Sequence, residues 1–204
     1  MSRGKISRRL FLGHTVASIL ALPARAEPPS PQDGFLVLEA REGNVSLLPI
    51  PASQTAVWSY NGEVPGPLLR YKKGEEVKVR LVNKLPQPAS LNWHGVRIVN
   101  AMDGVAGLTQ EPVPPGGSFD YRFTPPDSGL YWYHPHVLPF IGEQQGRGLY
   151  GAMIVDEPEP PQADRDMLIV LADWKLDSKG QLGGFNAATD AAGAGGIPPL
   201  VTLN

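Results

Sequence analysis

The sequence predicts an all-β chain, a Greek-key sandwich or barrel built as a single domain. Eight or nine short segments, apolar or alternating, follow one another at close spacing with turn signals between them. Gly (23) and Pro (22) are abundant but not periodic, which suits a turn-rich chain and excludes collagen-like and solenoid repeats. No stretch carries the 3.6-residue apolar period of a convincing helix. With 204 residues and 42% hydrophobic content, the chain is long enough to close one core. A domain of this size buries roughly 70% of its unfolded surface and needs no disulfide.

Residues 1–26 read as an export signal. Ser7-Arg8-Arg9-Leu10-Phe11-Leu12 fits the twin-arginine pattern, an apolar run extends from Phe11 to Leu22, and Ala24-Arg25-Ala26 is a small-x-small cleavage site. The run is too short to cross a bilayer as a helix, so no stable membrane insertion is expected. The protein is expected to be periplasmic or secreted, exported already folded. Cleavage after Ala26 would leave 13 basic against 20 acidic residues, a net charge of −7. Such a surface argues against nucleic acid and anionic membranes as partners.

Residues 27–34 form a Pro-rich leader, and the domain spans 35–182. Segments 35–39 and 44–48 are read as strands on either side of a Glu-Gly turn. Segment 55–60 follows, closed by the turn dipeptide Asn61-Gly62. Lys72-Lys73-Gly74 marks another turn. Segment 76–83 alternates, with Val77, Val79 and Leu81 on one face and Lys78 and Arg80 on the other. Strands are expected at 90–94, 118–123, 129–133 and 149–155, with 156–161 an acidic, Pro-rich surface loop. The continuous apolar run 167–172 predicts a buried strand. Residues 183–204 read as a Gly/Ala-rich linker ending in the start of another strand, as if a longer protein continues there.

The absence of cysteine excludes disulfides, thiolate metal sites and thiol catalysis from these residues. Of four histidines, His14 leaves with the signal. The other three fall in Asn92-Trp93-His94-Gly95 and His134-Pro135-His136. On an extended chain, residues i and i+2 share a face, so Asn92 and His94 project together with Trp93 opposite, and His134 and His136 project together if the chain is extended through Pro135. Two such strands side by side bring three imidazoles to one small volume, a donor set suited to copper, zinc or iron. Trp93, Tyr131, Trp132 and Tyr133 are read as fillers of the core or its rim.

These motifs, with Asn61 to Pro67, Met102-Asp103-Gly104, Pro114-Pro115-Gly116, Gly129 to His136 and Gly148-Leu149-Tyr150-Gly151, resemble the first domain of multicopper oxidases over about residues 35–204. The resemblance implies a cupredoxin-like (plastocyanin-like) domain that contributes ligands to a copper cluster. It implies that His94 and His134 bind one type 3 copper and His136 the other. The type 2 ligand position is Asn92 in this sequence, and an amide oxygen is a far poorer copper ligand than imidazole. The type 2 site is therefore weakened, held by a partner domain's histidine and water, or empty. Asp103 occupies the place of an acidic residue that relays protons to oxygen in similar enzymes; it also suits a turn in Met-Asp-Gly. The resemblance further implies C-terminal cupredoxin domains, in the same or another chain, and dioxygen and a small reducing substrate as reactants of the complete enzyme. Two other readings stand beside this one. The chain could be a copper-free periplasmic module, as in a ligand-less relative that the family includes, or a non-catalytic copper-binding or copper-tolerance protein.

Overall fold

The computed structural model describes residues 33–49, 54–185 and 200–203. The export signal with His14, residues 27–32 of the leader and residues 186–199 of the linker lie outside the described residues. Two four-stranded sheets face each other. One has the order β2 (Thr55–Tyr60), β1 (Leu36–Val45), β4 (Val77–Asn83), β6 (Ser118–Phe123). The other has the order β3 (Gly66–Lys72), β8 (Gly151–Asp156), β7 (Gly129–His134), β5 (Asn92–His94). The β1–β4 and β3–β8 pairs are parallel and the remaining pairs in these sheets antiparallel. This is a cupredoxin-like β-sandwich. A two-stranded ribbon of β9 (Leu171–Trp174) and β10 (Leu200–Leu203) adds to it.

The core follows from the period-2 patterns. Val77, Val79 and Leu81 of β4 are fully buried, with Leu38, Tyr60, Tyr121, Leu69, Met153, Tyr133 and Trp93 packed from both sheets. Each such side chain contributes roughly 1.5–3 kcal/mol by leaving water. Trp93 anchors the short strand β5, edge-on to Tyr121 and Phe123 with ring centroids 5.6 and 5.0 Å away.

The structure departs from the sequence reading at four places. The expected break at Glu42-Gly43 is absent: β1 runs straight through, with Glu42 opposite Trp58 and Gly43 opposite Val57. β3 was not anticipated, because it opens Gly-Pro; proline is tolerated there because β3 is a sheet edge. A six-residue helix, α1 (Ile141–Gly146), and a 3₁₀ turn (Asn100–Met102) occur in stretches too short to show a helical period. The run 167–172 is not a buried strand. Met167, Ile169 and Leu171 are exposed, and β9 begins only at Leu171.

Candidate metal centre

The β5–β7 ladder sets the site. Its register places Asn92 opposite His134, Trp93 opposite Tyr133 and His94 opposite Trp132. Trp93 and Tyr133 therefore turn into the core, while Asn92, His94, Trp132 and His134 share the outer face. His136, just past the end of β7, is held by a hydrogen bond from its backbone N–H to Ser90 Oγ at 3.0 Å. Gly95, with φ +86°, turns the chain away immediately after His94. All three sequence-predicted histidines line one open cavity of about 530 Å³, together with Asn92 and Asp103.

His94 Nδ1 and His134 Nε2 point at each other across 3.2 Å. The His134 and His136 rings lie 6.2 Å apart, centroid to centroid. The rings thus form a wall, with one convergent pair and a third member beside it. Among the described residues, no three His, Cys, Asp or Glu side chains form a ready-made metal cage. The donor chemistry nevertheless fits copper. His136 Nδ1 is buried with no hydrogen-bond partner. His134 is held neutral: burial pushes its pKa down to about 4, the neighbouring His94 and His136 add to the fall, and the Pro135 carbonyl opposes it. A neutral imidazole offers a lone pair without losing a proton.

One residue of the wall, Gln145, was missed in the sequence, and a second, Trp132, was read only as a filler of the core or its rim. Gln145 of α1 brings its amide within 2.6 Å of His134 Nδ1, which also lies 2.9 Å from the Pro135 carbonyl. The amide atom facing Nδ1 is Gln145 Nε2, which can only donate, whereas the Pro135 carbonyl can only accept; Nδ1 bonds one or the other according to its tautomer, and both contacts hold the ring in place. Trp132 is 39% exposed and stacks on His134 at 4.1 Å, with His94 4.9 Å away on the same wall. It is a rim residue that packs the imidazoles. Asp103 lies beside Asn92, whose amide nitrogen donates to the Asp103 carbonyl at 2.7 Å and faces its Oδ1 at 3.3 Å.

The sequence profile described as "Multicopper oxidase" matches residues 41–160. The chain belongs to the multicopper oxidase family. It is 38% identical over 189 residues to the multicopper oxidase MmcO of Mycobacterium tuberculosis, an alignment covering 83% of this chain and 36% of that protein. It is 34% identical to copper resistance protein A of Escherichia coli, covering 83% of this chain and 29% of the relative. Among solved structures, the multi-copper oxidase from Pseudomonas thermotolerans superimposes with a TM-score of 0.76 at 38% identity, over 83% of this chain and 41% of the other. The chain spans about a third of the length of the curated relatives it matches. Its resemblance is to the N-terminal domain of these multicopper oxidases, and its lineage is that of oxidoreductases. No helix among the described residues is long and apolar enough to cross a membrane.

Proposed function

We propose that this chain supplies one imidazole wall of a copper centre in a multicopper oxidase, through His94, His134 and His136. The observation that carries the reading is the convergence of His94 Nδ1 and His134 Nε2 at 3.2 Å on a cavity that His136 also lines. Bound copper supplies the one-electron redox chemistry by which such an oxidase couples oxidation of a small reducing substrate to reduction of dioxygen to water. This chain's residues hold and orient: Gln145 and the Pro135 carbonyl fix the His134 ring, Ser90 fixes His136, and Trp132 packs against the exposed side. Asp103 lines the same cavity, which supports its reading as a proton relay to oxygen.

The remaining ligands and the electron-entry site come from C-terminal cupredoxin domains, in the same or another chain, because these residues include no cysteine. An apolar surface left uncovered among the described residues supports such a partner: Met167, Ile169, Leu171, Val201 and Leu203 are all exposed on or beside the β9–β10 ribbon. The twin-arginine pattern of residues 1–26 supports assembly in the periplasm or outside the cell. Asn92 favours one competing reading, a copper-free module. Titration with copper(II) sulfate, followed by metal analysis after desalting, separates the two. Retention in the parent chain that is lost in His94→Ala/His136→Ala supports the copper reading. No copper(II) bound by the parent even at equilibrium, before desalting, sinks it.

A further inference from the structure

Asn92 is buried, 8% exposed, on the same face as the three imidazoles. Its side-chain nitrogen faces two oxygens, the Asp103 backbone carbonyl at 2.7 Å, which can only accept, and Asp103 Oδ1 at 3.3 Å. That pairing fixes which end of the amide points where: the nitrogen is committed to Asp103, and an amide nitrogen carries no lone pair for a metal. A neutral imidazole in this slot would bring a single N–H and could satisfy only one of the two oxygens.

The segment that Asn92 holds is tied down independently. Gly104 has φ +80°, and a Cβ there would overlap the Leu91 carbonyl oxygen, so the Asp103-Gly104 corner lies directly on the backbone entering β5. Two residues on, the Ala106 N–H donates to the His136 carbonyl at 3.1 Å. Asp103 is therefore set in register with both histidine-bearing segments, through Asn92 on one side and through Ala106 on the other.

We propose that Asn92 is a positioning residue that clamps Asp103 at the rim of the imidazole wall and does not ligate metal. The metal-binding set of this chain is then three imidazoles with a fixed carboxylate beside them. The proposal rests on the copper reading only for what Asp103 is positioned against; the clamp itself is testable without metal.

The isosteric variant Asn92→Asp separates the alternatives. It keeps the oxygen and removes both N–H donors. If Asn92 is a clamp, amide hydrogen exchange at residues 103–106 accelerates about tenfold, while core amides of β4 keep their protection. Asn92→Ala accelerates the same amides without a new charge, and because it adds no carboxylate donor its copper(II) affinity and copper(II) electron paramagnetic resonance spectrum stay as in the parent. The exchanged pair Asn92→Asp/Asp103→Asn can remake only the longer side-chain bond, in the reverse direction, and not the bond to the Asp103 carbonyl, so it recovers the lost protection only in part. If Asn92 is a ligand through its oxygen, Asn92→Ala instead weakens copper(II) and alters the spectrum, with exchange at 103–106 unchanged; that result overturns the proposal. Unchanged exchange in both single variants overturns it also, whatever the metal does. A parent chain that binds no copper(II) defeats the copper reading alone, and the exchange data still decide the clamp.

Discussion

Single residues govern the chemistry of the wall, and His134 is the most constrained of them. Its folded pKa of about 4 lies below the ordinary 6.5, so between those values the unfolded chain binds more protons than the folded one. The contribution is fully present above pH 6.5 and is lost as pH falls toward 4. Metal-free protein should therefore lose stability across that window in urea titrations, and His134→Gln should flatten the slope. Gln145→Leu removes the amide beside His134 Nδ1 and should weaken copper(II) about 10–100-fold by competition titration, with the fold intact. Gly104→Ala forces both a left-handed φ on a side chain and a backbone overlap. It should cost about 3 kcal/mol in chemical denaturation. At this scale the grouping of the histidines was legible in part: i and i+2 on a strand share a face, which ties Asn92 to His94, while His136 lies past the end of β7 and is held by Ser90. Gln145 was not, since nothing in its spacing ties it to His134 until α1 folds over the end of β7. The partner of Asn92 was equally hidden, because an eleven-residue separation carries no periodic signal.

Among the elements, β5 does most with least. It is three residues long and lies at a sheet edge, so the Trp93 indole is its main hold on the core. Trp93→Ala should cost about 3–5 kcal/mol and abolish copper(II) retention together with stability, whereas Trp132→Ala, at the rim, should affect stability much less. The two outcomes are read from one set of melting curves. β4 and β6 were plain in the sequence because their alternation is uninterrupted and each face meets one environment. β3 and α1 were not. The first hides behind Gly66-Pro67, and the second is shorter than two helical turns and studded with glycine. The apolar run 167–172 misled for a different reason: hydrophobicity states that a residue avoids water, but not whether its cover comes from this domain.

At the scale of the whole molecule, the sandwich presents two unfinished surfaces, the imidazole wall and the apolar stripe along the β9–β10 ribbon. A groove of about 670 Å³ lies between residues 168–173 and the outer face of β7 and β8, and both Trp132 and Gln145 border it as well as the histidine cavity. Ile169→Glu/Leu171→Glu should leave the melting temperature of the chain within a few degrees, since both side chains are exposed. The same variant should weaken association with a C-terminal cupredoxin domain, measured by sedimentation. The sandwich itself was readable because its turns and alternations are local; what covers its surfaces is not encoded in any local pattern. The open form of the wall has a thermodynamic corollary. His94 is exposed, and its metal would be reached by a covering domain from outside. Under the proposed function, copper and that domain are two ligands of one surface. By reciprocity of linked equilibria, whatever factor the docked domain adds to copper affinity, copper must add to the affinity for the domain.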